Sequence, residues 1–246
     1  SAMTKDDLTK ALKSIGITKM LQLIKEDLAS IGVTFDVWFK ETSLIQSGTY
    51  DKVMDLLKTQ RYLTKRDGAT WFASSELGED KDNVLIRSTG LPTYFATDIA
   101  YHYDKFMLRK FSKVINIWGA DHHGHISRMK TVVGALGANP DDLTIMLTQM
   151  VALKKGDAFL KASKRSGNLV ELSELVNEVG SDVCRYFFLA RTAQSHMEFD
   201  LDLAKDQSAN NPVYYLQYAH ARMAGILRTA DANNIDWSNG DSSTLN

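Results

Sequence analysis

The feature that most constrains this chain is a change of rhythm near Val84, after which short apolar runs alternate with stretches of helical period. Val84 to Arg87 reads as a strand, Tyr94 to Leu108 as a helix and Val114 to Trp118 as an apolar strand. Ile126, Met129, Val132, Val133 and Leu136 then fall on one face of a helix that Gly137 and Pro140 close. Thr144 to Leu153 predicts the next strand, Lys154-Lys155-Gly156-Asp157 a turn, and two helices separated by Gly180-Ser181 follow. Strands joined by helices are the sequence form of a parallel sheet with crossover connections, so the expected fold class is α/β.

The flanks differ. Leu8, Leu12, Ile15, Met20, Leu21, Leu23, Ile24 and Leu28 recur about one helical turn apart, with Gly16 and Gly32 as punctuation. Val33 to Phe39 is β-branched and aromatic enough to predict a strand, Tyr50 to Leu57 a helix, and Arg66 to Phe72 a turn with a short strand. After Pro212, Val213 to Arg228 reads as the opening helix of an all-α domain, and the polar segment Asn233 to Asn246 has too little apolar surface to bury.

With 44% hydrophobic and 24% charged residues, the 246-residue chain can bury a sizeable core. Its 29 basic and 30 acidic side chains nearly cancel, so any contact with RNA has to come from local patches. Cys184 is the only cysteine, which excludes an intrachain disulfide and a cysteine-only zinc site. No run of about 18 apolar residues and no secretion signal stands in the sequence, so the expectation is a cytoplasmic protein without a membrane span.

Three segments carry chemistry. Lys161-Ala162-Ser163-Lys164-Arg165-Ser166-Gly167 is a basic, small-residue loop beyond an expected buried strand. Two lysines three apart with a hydroxyl between them suit the charge that develops on a departing pyrophosphate, although a solvated basic turn would read the same way. Trp118-Gly119-Ala120-Asp121-His122-His123-Gly124-His125 lies where a strand turns into a helix, the place where open parallel sheets bind nucleotides and a carboxylate such as Asp121 can hold ribose hydroxyls. The three histidines also fit a metal, but adjacent His122 and His123 diverge and no further Cys or His supports one, so none is expected. In Pro92 to His102, Tyr94 and Asp98 share a helical face, where a ring and a carboxylate can hold a planar cation such as guanidinium. A half-buried helix with an exposed aspartate is the plainer alternative.

Together these segments resemble the arginyl-tRNA synthetases, from about Leu28 to about Arg228. Phe35-Asp36-Val37-Trp38-Phe39-Lys40-Glu41, Thr93-Tyr94 through Lys105, and Gly119 to Gly124 are similar to segments of that family. The Lys161 to Gly167 loop matches its Lys-Met-Ser-Lys-Ser motif, with Ala162 in place of methionine, and Asn211 to Arg222 looks like the entrance to its anticodon-binding domain. The resemblance implies the second half of a class I Rossmann-type nucleotide-binding fold. Residues 4–83 would be a helical and connective part, 84–204 that half-fold, and 205–246 the start of the anticodon-binding domain.

The resemblance further implies arginine bound by Tyr94 and Asp98 with His122 nearby, and ribose held by Gly119 and Asp121. Adenine would lie along Met150 and Val151, and Lys161, Ser163, Lys164 and Arg165 would form the mobile triphosphate loop. ATP with Mg2+, arginine and tRNA(Arg) would be substrates and partners, with no tightly bound cofactor. The family's other ATP motif, His-x-Gly-His, has no counterpart at the expected place, so the chain reads as an internal piece, inactive alone and with exposed apolar surface favouring self-association. The rival reading is a non-catalytic nucleotide- or RNA-binding module. Cys184 reads as a packing residue, and His196 with Glu198, Asp200 and Asp202 either as a surface loop or as groups that steer the lysine loop.

Overall fold

The computed structural model describes residues 4–160, 170–238, 240 and 243. In chain order they begin with helices α1 (Lys5–Ser30), α2 (Thr42–Gln46) and α3 (Thr49–Thr59), then strands β1 (Leu63–Arg66), β2 (Ala69–Phe72) and β3 (Asn83–Ile86). Next come α4 (Tyr94–Tyr103), β4 (Val114–Gly119), α5 (Ile126–Ala135), β5 (Leu143–Thr148), β6 (Val151–Lys155) and β7 (Ala158–Leu160). The last are α6 (Leu172–Val179), α7 (Ser181–Leu189), β8 (Met197–Asp200), α8 (Leu201–Lys205) and α9 (Pro212–Ala232).

Two compact units result, one of residues 35–150 and 193–196, the other of 4–34, 151–192 and 197 onward.

In the first unit β1, β2 and β3 form an antiparallel meander. The β1–β2 turn places Asp67 and Gly68 at φ 50° and 73°, the left-handed pair that a two-residue hairpin demands. The strand near Val84 therefore corrects an expectation: it pairs antiparallel with β2 and does not open the parallel sheet. Parallel pairing begins with β4 and β5, in register from Val114↔Leu143 to Gly119↔Thr148, with α5 as the crossover. On β4, Val114 and Asn116 face inward while Ile115 and Ile117 stay 63% and 67% exposed. The core joins Leu57, Phe72, Leu85, Ile99, Met129, Val132 and Leu143, drawing on both sheets and on α3, α4 and α5.

In the second unit β6 pairs parallel with β8 and antiparallel with β7. Leu175, Cys184, Met197, Phe199, Leu201 and Ala204 form its core, and the free thiol of Cys184 is fully buried. Asn211 caps α9 and Pro212 sits at its first position, where a missing N–H costs nothing.

Three other expectations are revised. Val33 to Phe39 pairs with no strand among the described residues, and Phe35 and Val37 remain 57% exposed; β propensity without a partner does not make a ladder. Gly16 does not interrupt α1, since about 1 kcal/mol of propensity is too little to stop a 26-residue helix. Thr144 to Leu153 is two strands, β5 and β6, in different sheets. No helix among the described residues is long and apolar enough to cross a membrane.

Candidate functional site

The site begins with the placement of α4. Thr93 caps the helix, accepting from the Ala96 N–H at 3.4 Å, and its hydroxyl donates to the Val84 carbonyl at 2.9 Å. The Thr93 N–H donates to the Leu85 carbonyl at 2.8 Å, so the first turn is fastened to β3. Phe95, Ala96, Ile99 and Ala100 enter the core, which leaves Tyr94, 81% exposed, and Asp98 one turn later on the open face.

That face forms one wall of a cleft of about 240 Å³ lined by Phe39, Glu41, Leu44, Tyr94, Thr97, Asp98 and Tyr101. Glu41 and Tyr94 also line an adjoining cleft of about 370 Å³ with Arg87 and Leu91. Although the Asp98 side chain reaches solvent, the surrounding protein raises its carboxyl above the ordinary range. Glu41 adds to the rise, and Lys105, Arg128 and His122 offset part of it. Among the described residues neither carboxylate has an ion pair or a side-chain hydrogen bond. Two acidic groups and an aromatic ring around one small cleft suit a planar cation.

Sequence reasoning gave Glu41 no role. Its signal was an acidic residue closing an aromatic run, but only folding shows that the irregular segment from Phe35 carries it to α4.

The second group lies at the carboxyl end of β4. Gly119 ends the strand, Asp121 and His122 occupy the short 3-10 stretch before α5, and Asp121 is largely solvent-exposed. A Cβ at Gly119 would lie 2.6 Å from Oδ1 of Asp121, so this carboxylate takes its place because residue 119 has no side chain. His122 Nε2 is 3.7 Å from Asp121 Oδ2, and the His122 ring lies 6.2 Å from that of Trp118 and 5.3 Å from that of His125. Met150, 83% exposed, follows β5 on the same carboxyl edge of the β4–β5 pair, and Val151 opens β6 in the other unit. Among the described residues no three His, Cys, Asp or Glu side chains are grouped to hold a metal ion.

The positions Lys161, Ser163, Lys164 and Arg165 lie outside the described residues. The strand that leads to them, β7, is exposed along its length, against the buried strand expected there. His102, Asn116 and Lys105, which the sequence did not single out for a role, come together behind the cleft.

A family model described as the catalytic domain of class I tRNA synthetases (R) matches residues 4–199. The chain is 54% identical over 243 residues to an arginine–tRNA ligase of Dehalococcoides mccartyi, covering 99% of this chain and 44% of that protein. It is 52% identical over 226 residues to one of Carboxydothermus hydrogenoformans, covering 92% and 40%. Among solved structures, one described as an arginyl-tRNA synthetase of Campylobacter jejuni superposes with a TM-score of 0.84 at 39% identity, over 93% of this chain and 49% of that one. The Thermus thermophilus arginyl-tRNA synthetase, at 18% identity and a TM-score of 0.72 over 92% and 47%, shares the fold. The chain thus spans less than half the length of these relatives.

Proposed function

Because this chain belongs to the class I arginyl-tRNA synthetase family, we propose that it supplies the arginine cleft and part of the ATP site of an arginine–tRNA ligase. The observation that carries this reading is the cleft lined by Asp98, Glu41 and Tyr94, in which neither carboxylate has an ion pair among the described residues. A guanidinium there gains charge-assisted hydrogen bonds from two sides and a stacking surface, and its methylene stem lies against Phe39 and Leu44.

Holding the distal end of arginine leaves its α-carboxylate free to reach ATP. The carboxylate oxygen attacks the α-phosphorus, the bond to the bridging oxygen breaks, and pyrophosphate leaves with its electron pair. A hydroxyl of the terminal tRNA(Arg) ribose then attacks the arginyl carbonyl and AMP departs. Neither step uses a covalent enzyme intermediate, so positioning and charge stabilisation dominate.

In this proposal Asp121 accepts from the ribose hydroxyls, Gly119 keeps the space open, and Met150 and Val151 lie along adenine. Lys161, Ser163, Lys164 and Arg165 donate to the phosphates of ATP, which enters with Mg2+ as substrate. Residues 205–246 begin the anticodon-binding part, and the whole works in the cytoplasm, where translation takes place. The 246 residues alone would bind arginine without charging tRNA, since the phosphates need donors on two sides and each set is worth about 100- to 1,000-fold.

L-citrulline, which keeps the shape of arginine and removes its charge, tests the reading. Titration calorimetry on the chain should show citrulline binding at least about tenfold more weakly than L-arginine. Equal binding of the two would sink the arginine assignment.

A further inference from the structure

Behind the cleft, three polar side chains that the proposed chemistry does not use form one continuous chain. His102 is 3% exposed and Asn116 7%, each surrounded by the larger core. His102 Nδ1 lies 2.7 Å from the backbone carbonyl of Asp98, Asn116 Nδ2 lies 2.8 Å from His102 Nε2, and Lys105 Nζ donates to Asn116 Oδ1 at 3.0 Å.

The donors follow from the ends inward. A carbonyl only accepts, so His102 carries its proton on Nδ1; an ammonium only donates, so Asn116 presents Oδ1 to Lys105 and its NH2 to Nε2. Each group then has one compatible role, and reversing any of them leaves a buried polar atom unpaired.

Lys105 follows α4, past the point where the helix stops being an α-helix. Residues Asp104–Leu108 form a single π turn, closed by the Arg109 N–H on the Asp104 carbonyl at 2.8 Å. Lys105 lies one helical turn beyond Tyr101, and its Nζ sits 4.1 Å from the centre of the Tyr101 ring. Tyr101 stacks on Phe39 with centroids 4.2 Å apart and planes 19° from parallel, and both rings line the cleft. The charged groups that act on Lys105 are Asp98, Asp104 and Arg109.

We propose that His102, Asn116 and Lys105 are positioning residues for the arginine cleft, tying the Asp98 turn and the Tyr101–Phe39 wall to strand β4. None of the three touches the substrate. Asn116 is the hinge of the relay, because its amide alone meets both ends and fixes both orientations. The inference rests on the arginine-cleft reading above.

The test uses the 246-residue chain with two Asn116 variants. Long-range nitrogen–proton NMR at about pH 6 should show His102 neutral with the proton on Nδ1. Asn116→Asp, of the same shape, can accept from both neighbours but cannot donate, so His102 should become an imidazolium at that pH and the Asp98 carboxyl signal should move. By calorimetry, Asn116→Ala should weaken L-arginine by about tenfold, the loss of a buried hydrogen-bond hinge.

If Asn116→Ala fails to fold, the Asn116→Asp variant carries the affinity measurement with the same expected direction. A proton on Nε2 in the parent, an unmoved Asp98 signal in Asn116→Asp, or unchanged arginine affinity in a folded variant overturns the relay. Absence of arginine binding in the parent chain overturns the cleft reading instead. The tautomer and the Asp98 signal still decide whether the relay holds the Asp98 turn.

Discussion

A methyl group on Gly119 would sit 2.6 Å from Oδ1 of Asp121, well inside contact distance, yet the atom it meets is the end of a mobile side chain. Gly119→Ala should therefore cost the fold little while turning the carboxylate away from its present position. We expect thermal unfolding to shift by no more than a few degrees and ATP affinity to fall by about tenfold, with L-arginine affinity unchanged. Unchanged ATP binding would remove Asp121 from the ribose assignment.

Asp98→Asn tests the cleft directly. Losing one of two carboxylates should weaken L-arginine by about 1.5–3 kcal/mol and leave ATP binding as it was. The raised carboxyl adds a pH signature: the proposed cleft pairs arginine with an ionised Asp98, so affinity should begin to fall above the pH at which an ordinary aspartate is protonated. Arginine titrations at descending pH, compared between the parent and Asp98→Asn, check both effects.

His102 makes a prediction about stability. Burial lowers its pKa from 6.5 to about 4, so the folded state holds the neutral ring where the unfolded chain takes up a proton. The stabilisation is present above about 6.5 and is lost as pH falls through about 4, amounting to about 3 kcal/mol over the window. The raised Asp98 carboxyl has the opposite sign, favouring the fold at low pH. Urea unfolding across this window should be steeper in pH for the parent than for His102→Gln; equal slopes would mean His102 is not held neutral.

Ile115 and Ile117 lie outward on β4 at 63% and 67% exposure, whereas parallel strands are ordinarily covered on both faces. The isolated chain should self-associate through this strip. Light scattering behind a sizing column should show a concentration-dependent mass, reduced in Ile115→Thr with Ile117→Thr. The same mass profile for both proteins would move the contact elsewhere.

The helices α4, α5, α6, α7 and α9 were legible because their apolar residues repeat at one turn and Gly, Pro or Asn marks their ends. Val114 to Trp118 was legible as a strand for its apolar run between turn signals. The partner of a strand is not in its own letters: Val84 looks the same in a meander as in a crossover unit, and Val33 to Phe39 looks like a strand that found no neighbour. Tyr94 with Asp98 could be read because four residues make a helical face. Glu41 and the Lys105–Asn116 contact could not, because one depends on the path of an irregular segment and the other on where strand β4 lies beside the residues that follow α4.

Cys184 is the sole thiol of the chain and lies on the buried side of α7, in the smaller core with Leu175 and Phe199. Burial also keeps its proton on. The protein therefore carries its own stopwatch: an aqueous thiol reagent in excess reacts only when that core opens, and the rate times the opening of one unit alone. A reporter cysteine placed on an exposed position of the other unit would label in the resting protein, so each half can be followed on its own clock without removing a native residue.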